Sequence, residues 1–155
     1  LNTLMKNECD FKVVILGENF SKSPIEFQEN IGKLGDRILY SGFAESFEEY
    51  AHWLWKSDIL PVTSNQDFFG VSIMEAVYCG CHPILPVRLT YPEFFPSEYL
   101  YHDEKELYEK TVSALSQVQS IREESLRNTA AEYDWGIMAS KYDSIFNSSI
   151  NKPIE

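Results

Sequence analysis

The 155-residue sequence has little positive charge and no long apolar segment. It holds 13 lysines and arginines against 24 aspartates and glutamates, a formal net charge of −11. An acidic surface repels phosphate backbones and anionic lipids, so we do not expect this chain to bind nucleic acid by itself. No apolar run approaches the ~20 residues that a membrane-spanning helix needs. We therefore expect no membrane span.

Cysteine is also scarce. The three cysteines at positions 9, 79 and 81 are an odd number without framework spacing, which argues against a disulfide scaffold and favours a cytoplasmic protein. The segment Cys79–His82 (CGCH) raises the alternative of a metal site. A structural zinc needs four ligands, and the sequence offers no second cluster. We favour two small thiols flanking a glycine that ends a helix, and we expect no metal and no cofactor.

The chain has the length of one domain, and strand and helix patterns alternate along it. Its apolar fraction is 44% and its aromatic fraction is 14%, which are values typical of a globular protein. Helical patterns separate four β-rich runs, and such alternation predicts an α/β fold with a Rossmann-like parallel sheet and helices on both faces. The predicted strands are Lys12–Leu16, Arg37–Ser41, Ile59–Thr63 and Pro83–Val87, and the predicted helices between them are Pro24–Leu34, Ser46–Lys56 and Gly70–Cys79.

The last third of the chain is predicted to be all-helical. Asp103 caps a first helix, a second runs over Ile121–Glu132, and Asp134 caps a third. We expect one domain over residues 1–147 and a frayed tail over 148–155. The third helix has an apolar stripe that we expect to pack back onto the domain. Its members are Trp135, Met138, Tyr142, Ile145 and Phe146.

The most informative segment is Asp67–Val77, which reads DFFGVSIMEAV. Gly70 opens a helix whose first turns are almost wholly apolar, yet Glu75 lies inside it. An unpaired buried carboxylate costs several kcal/mol, so we expect another group to hold Glu75. The alternative is a core helix with one glutamate at its solvent edge, and the spacing alone leaves both interpretations open.

The loops that follow the strands predict where a ligand would bind. In parallel α/β folds, ligands lie at the carboxyl ends of the strands. We therefore expect Gly17, Gly42–Phe43 and Ser64–Gly70 to form one rim. The helix that begins at Gly70 would offer free N–H groups and the positive end of its dipole to an anion, most naturally a diphosphate.

The segment from Asp58 to Pro86 resembles the donor-binding signature of the retaining glycosyltransferases of the GT-B group called family 4. That signature has an acid, then Phe-Gly, then Glu-Ala, then Gly-x-Pro before a strand. The segments FFG and EAVYCGC resemble the tRNA-queuosine mannosyltransferases more closely still. The resemblance implies the C-terminal, donor-binding domain of an enzyme that transfers mannose from GDP-mannose, with queuosine in tRNA as a candidate acceptor.

The resemblance also implies roles for individual residues. Asp67 would be the catalytic carboxylate that contacts the donor sugar near its reacting carbon. Glu75 would accept hydrogen bonds from the ribose hydroxyls, and the backbone around Gly70 would hold the diphosphate and the sugar. The implied donor-binding residues are Gly17, Phe43, Phe69, Gly70, Val71, Ser72 and Glu75.

Two positions depart from the family pattern. The family usually has glutamate where Asp67 stands, so this side chain is one methylene shorter. The loop after the fourth strand reads Thr90–Glu93 (TYPE) where the family commonly has two glycines before the glutamate. The shorter acid supports the alternative of a non-catalytic α/β module that binds a nucleotide or a protein. A dinucleotide oxidoreductase is disfavoured because no Gly-x-Gly-x-x-Gly follows the first strand.

The resemblance further predicts what this chain lacks. The family neutralises the donor diphosphate with basic residues after the first strand of the donor domain, and this chain has none at the matching place. We therefore expect the chain to be the greater part of one domain that lacks its first strand. The acceptor, with tRNA as the candidate, would bind to an N-terminal domain that is absent here, and the chain alone is expected to be inactive.

Overall fold

The computed structural model describes residues 1–17, 25–124 and 126–150. Short parallel strands alternate with helices through most of this length. The strands are β1 Val13–Leu16, β2 Ile38–Gly42, β3 Ile59–Pro61, β4 His82–Pro86 and β5 Leu100–Tyr101. The helices are α1 Asn2–Lys6, α2 Ile25–Leu34, α3 Phe47–Lys56, α4 Val71–Tyr78, α5 Tyr91–Phe94, α6 Glu104–Ser116, α7 Val118–Glu123, α8 Arg127–Ala131 and α9 Trp135–Ile150.

The strands form two parallel ladders. One pairs β1 with β2, and the other has the order β3-β4-β5. Leu16 of β1 and Leu60 of β3 pack in the same apolar cluster, so side-chain contacts join the ladders. The predicted α/β fold with parallel strands and flanking helices is confirmed. Two strands end at prolines, Pro61 and Pro86, and the residue after each proline still donates its N–H to the neighbouring strand, Val62 to the Ile84 carbonyl and Val87 to the Tyr101 carbonyl.

The core is built around α4 and β4. Four residues of α4 are buried, and Val77 is wholly inaccessible to solvent, as is Leu85 of β4. Fully burying one such side chain stabilises the fold by roughly 1.5–3 kcal/mol. Both elements are apolar along nearly their whole length because each is covered on more than one side. The start of α4 is therefore attached to the buried core.

The predicted start of a helix at Ser46 and the predicted cap at Asp103 are confirmed. The Ser46 hydroxyl accepts a hydrogen bond from the Glu49 N–H at 3.1 Å, and the Asp103 carboxylate accepts one from the Glu106 N–H at 2.9 Å. The Glu49 carboxylate turns back to accept the Glu45 N–H at 2.8 Å. Each cap satisfies an N–H group that the first turn of a helix leaves unpaired. These short polar side chains thus define where α3 and α6 begin.

Two arginines donate hydrogen bonds to backbone carbonyls at the carboxyl ends of α3 and α4. Arg122 of α7 pairs with Asp58 and donates to the Trp55 carbonyl. Arg127 of α8 donates to the Tyr78 carbonyl, and its guanidinium lies 4.6 Å from the centroid of the Trp55 ring. Cations are favourable at the negative end of a helix dipole. The open groove of about 360 Å³ between these side chains is therefore lined by groups that already hold the helices together.

We predict that Arg122→Ala lowers the free energy of unfolding by about 1–2 kcal/mol, since it removes charge-assisted hydrogen bonds from a partly exposed pair. Lys105→Ala is the control, because Lys105 pairs with Glu109 on the open surface of α6, where such pairs contribute less than about 0.5 kcal/mol. Urea unfolding followed by circular dichroism measures both. Equal losses in the two variants would contradict a special role for Arg122.

The predicted single helix over Ile121–Glu132 is wrong. The chain forms two short helices instead, and backbone angles at Glu124 and Leu126 leave the α region between them. Ile121 packs in a cluster with Ile84, whereas Ala130 packs in the cluster that contains Val77. The break therefore lets the two halves cover different parts of the core, a tertiary effect that local helical pattern does not encode.

The expected packing of α9 onto the domain is also wrong. None of its residues is buried, and Trp135 and Phe146 are 72% and 61% exposed. The aromatic members contact one another, with ring centroids 6.1 Å apart for Trp135 and Tyr142. Periodicity shows that one face is apolar but not what covers it. The helix continues to Ile150, so the part of the predicted tail up to that residue is helical, and residues 151–155 lie outside the described part.

Within the described ranges, no helix combines the length and the apolar character that crossing a membrane requires.

The predicted helix that corresponds to α2 begins at Pro24, and this residue lies outside the described ranges. The one-turn helix α5 and the two-residue strand β5 have no counterpart in the sequence prediction. Each spans only about one hydrophobic period, so no repeating pattern is present to reveal it.

Candidate functional site

The candidate site is centred on the loop that connects β3 to α4. Gly70 ends this loop in the left-handed region, with φ of 79°, and caps α4 without a side-chain hydrogen bond. The first helical hydrogen bonds are those of Ile73 and Met74, whose N–H groups both donate to the Gly70 carbonyl at 2.9 Å. The N–H groups of Val71 and Ser72 come before this first bonded turn, where a helix leaves its donors without intrahelical partners. Such donors and the positive end of the helix dipole are favourable to an anion, and the anion site at the start of α4 stays a prediction.

Gly70 is required by its backbone angle, whereas a Cβ atom at this position would meet its neighbours only at ordinary van der Waals distance. A Cβ atom at this position would lie 3.4 Å from Ile73 Cδ1 and 3.5 Å from Asp67 Oδ2. A non-glycine residue in the left-handed region costs roughly 1–2 kcal/mol before any contact is counted. The glycine thus allows the loop to turn tightly into the buried helix.

We predict that Gly70→Ala lowers the free energy of unfolding by about 1–2 kcal/mol, whereas Gly32→Ala raises it by about 0.5–1 kcal/mol. Gly32 lies inside α2, and a Cβ there meets nothing within 4 Å. Chemical denaturation of both variants supplies the comparison. If both alanines changed stability in the same direction, the strain assigned to Gly70 would be incorrect.

Asp67 is held by two hydrogen bonds at opposite oxygens. Its Oδ1 accepts the Gly70 N–H at 2.8 Å, and its Oδ2 accepts the Tyr91 hydroxyl at 3.0 Å. Tyr91 lies in α5 and is 1% exposed. Burial, and then the hydrogen bond to Asp67, raise the pKa of Tyr91 to about 12. The phenol is consequently protonated near neutral pH and acts as the donor.

Glu75 is held in a similar way. Its Oε2 accepts the Tyr50 hydroxyl at 2.9 Å, and this bond links α4 to α3. Burial is the main cause that raises the pKa of Tyr50, and the bond to Glu75 adds to it. The expectation that another group holds Glu75 is confirmed. The carboxylate is partly buried, so it is neither enclosed in the core nor free in solvent.

The two tyrosines are the residues that sequence analysis missed. Tyr50 lies 25 positions before Glu75, and Tyr91 lies 24 positions after Asp67. No local spacing rule connects residues so far apart. The available signals were only indirect, since Tyr50 lies one helical turn before Leu54 in α3 and Tyr91 stands in the loop that departs from the glycosyltransferase pattern.

Phe68 and Phe69 have opposite environments. The Phe69 ring packs edge-on against Phe94 and Tyr133, with centroids 5.4 and 5.3 Å apart. Only the backbone of Phe69 therefore belongs to the candidate site. Phe68 is 97% exposed, while its carbonyl accepts the Thr90 hydroxyl at 3.2 Å. The loop is thus anchored from both sides.

The other predicted residues lie at the ends of β1 and β2. The Gly17 N–H donates to the Gly42 carbonyl at 3.0 Å, so these two strand ends are brought together as predicted. Phe43 is exposed, and its carbonyl accepts the Tyr40 hydroxyl at 2.9 Å. Among the described residues, no hydrogen bond joins this turn to the two carboxylates. Any nucleotide bound at the site would have to span the space between them.

The cysteine-rich segment has a structural role. The buried Cys81 thiol donates to the carbonyls of Leu54 and Ser57 at 3.3 Å, and burial raises its pKa to about 12. Cys79 is partly buried, and Gly80 between the two cysteines follows the end of α4. Over the parts of the chain with described positions, no group of three or more His, Cys, Asp or Glu side chains is arranged to hold a metal ion.

The chain is similar to a tRNA-queuosine alpha-mannosyltransferase of Drosophila melanogaster. The two sequences are 42% identical over 107 residues, which make up 69% of this chain and 28% of the fly protein. The matched segment therefore spans only a little more than a quarter of the fly protein's length. No protein-family model matches the chain. The match supports the resemblance drawn from the motif, while the assignment to GT-B family 4 stays a prediction.

Proposed function

We propose that this chain is the donor-binding part of a retaining glycosyltransferase that transfers a sugar from a nucleotide-sugar, with GDP-mannose as the candidate donor. One observation carries the proposal. Two carboxylates, Asp67 and Glu75, are each oriented by a tyrosine hydroxyl on either side of the open start of α4 at Gly70. The similarity to the fly mannosyltransferase gives independent support.

The start of α4 suits the diphosphate of such a donor. The N–H groups of Val71 and Ser72 and the positive end of the helix dipole would stabilise the negative charge that grows on the diphosphate as its bond to the sugar breaks. Because α4 is anchored in the core, these dipoles are preorganised and need little rearrangement during the reaction. This kind of stabilisation does not require a metal ion.

Glu75 suits the ribose. Its Oε2 is occupied by the Tyr50 hydroxyl, whereas Oε1 has no hydrogen-bond partner within the described ranges. A carboxylate oxygen can accept hydrogen bonds from the adjacent hydroxyls of a ribose, and such charge-assisted bonds are stronger than neutral ones. In this proposal Glu75 anchors the nucleotide while Asp67 faces the sugar.

The acceptor we propose is queuosine in tRNA, following the name of the fly protein. A chain with a net charge of −11 is a poor surface for a polyanion. The main contacts to tRNA would therefore come from other parts of a longer enzyme. In this division of labour the present chain binds the donor, and positioning by both parts brings the reacting groups together.

A second candidate is a non-catalytic module that binds a nucleotide. It is favoured by one specific observation, namely that both oxygens of Asp67 already accept hydrogen bonds from the protein. A carboxylate that served only to fix the loop at Gly70 would show the same two contacts. The two candidates differ in whether Asp67 affects turnover.

Glu75→Gln in the full-length enzyme should weaken GDP binding about tenfold or more, because charge-assisted hydrogen bonds to ribose contribute roughly 1.5–3 kcal/mol. Isothermal titration calorimetry gives the affinities. Glu48→Gln, which neutralises an exposed glutamate of α3, is the control and should bind GDP normally. Unchanged affinity in a folded Glu75→Gln variant would show that this residue is structural only.

Asp67→Asn should reduce kcat far more than GDP affinity, because Asp67 is proposed to contact the sugar and not the nucleotide. Steady-state kinetics on queuosine-containing tRNA, with GDP affinity measured in parallel, separate the two effects. Near-normal turnover in this variant would remove the catalytic assignment and favour the non-catalytic module.

A further inference from the structure

Tyr91 is tightly fixed beside Asp67. The residue is 1% exposed and belongs to the central apolar cluster, together with Ile73 and Leu85. A Cβ atom at Gly70 would lie 3.6 Å from Tyr91 Cε1, so the ring also borders the turn that opens α4. The hydroxyl cannot move away from Asp67 unless the core moves with it.

Tyr91 and Asp67, which are in contact, both stand at positions where this sequence differs from the glycosyltransferase pattern. Asp67 is shorter than the usual glutamate, and Tyr91 occupies the loop that commonly carries glycines. The Tyr91 hydroxyl reaches into the space next to the carboxylate and bonds Oδ2 at 3.0 Å. A glutamate at position 67 would carry its carboxylate one methylene further, so it could not make the hydrogen bonds to the Gly70 N–H and to this hydroxyl in the geometry of Asp67.

We propose that Tyr91 is a positioning residue that sets the orientation and reach of Asp67, so that the two side chains act as a matched pair. The inference rests on the proposed glycosyltransferase function. With Oδ1 bound to Gly70 and Oδ2 bound to Tyr91, the carboxylate cannot rotate. Each oxygen keeps a further lone pair, which is available to the hydroxyls of a donor sugar.

Removing the hydroxyl leaves the carboxylate held at one oxygen only. Misplacement of a reacting group by about 1 Å can lower turnover roughly a hundredfold. Tyr91→Phe in the full-length enzyme should therefore reduce kcat about ten- to a hundredfold, while the KM for GDP-mannose and the affinity for GDP change little. The ring stays in place, so the fold should be retained.

The deciding experiment is a double-mutant cycle between positions 67 and 91. If Tyr91 acts through Asp67, Tyr91→Phe should have little further effect on kcat once Asp67→Asn is present. A glutamate at position 67 should support turnover only when position 91 carries phenylalanine. Asp67→Glu is expected to be poorly active beside Tyr91 and to regain turnover when combined with Tyr91→Phe, since loss of the hydroxyl makes room for the longer side chain.

Tyr101→Phe is the matched control. Tyr101 is another buried tyrosine, and its hydroxyl donates to the Val62 carbonyl at 2.8 Å and not to a carboxylate. This variant should show a fall in melting temperature similar to that of Tyr91→Phe, but with normal kcat. Thermal unfolding of both variants separates lost stability from lost positioning.

The outcomes distinguish this inference from the proposed function. No transfer by the wild-type enzyme to queuosine-containing tRNA would overturn both. An active wild type whose kcat survives Tyr91→Phe, or whose Tyr91 and Asp67 effects simply add, would overturn the matched pair alone. An equal loss of kcat in Tyr101→Phe would show that Tyr91 acts through general stability, which also overturns it. Non-additive effects together with the rescued Asp67→Glu variant would establish it.

Discussion

Burial of α4 against β4 is the constraint on which the rest of the structure depends. Val77 and Leu85 have no accessible surface, and the helix and strand that carry them are apolar along most of their length. Since the helix cannot shift without opening the core, the turn at Gly70 and the carboxylates on either side of it have fixed positions. The packing of apolar side chains in the core thereby fixes the positions of the Asp67 and Glu75 carboxylates.

The polar groups of the site depend in turn on two neutral tyrosines. A carboxylate tethered by a lysine or arginine would be partly neutralised, whereas a phenol orients it and leaves its charge intact. Burial raises the pKa of Tyr50 and of Tyr91, so both phenols remain donors near neutral pH. The candidate site is therefore preorganised and negatively charged beside a helix start that is positive. Such a combination suits a ligand with hydroxyl groups at one part and phosphate at another.

Much of the fold could be predicted from local pattern. The strands β1–β4 and the helices α3, α4 and α6 follow from apolar runs, capping side chains and glycines that act over a few residues. Prediction failed where distant packing decides the outcome. The segment around residues 121–132 breaks because its halves cover different clusters, and the apolar face of α9 lies exposed although its periodicity is that of a packed helix.

The sequence by itself determined the chemistry of the site. The placement of Asp67, Gly70 and Glu75 around one helix start is local, because backbone geometry over nine residues fixes it. Only the tertiary structure decided what holds those groups, since Tyr50 and Tyr91 come from separate elements about 25 residues away. A hydrogen bond between distant residues depends on how helices pack on the sheet, and packing depends on the whole core. The carboxylates were therefore predictable, and their partners were not.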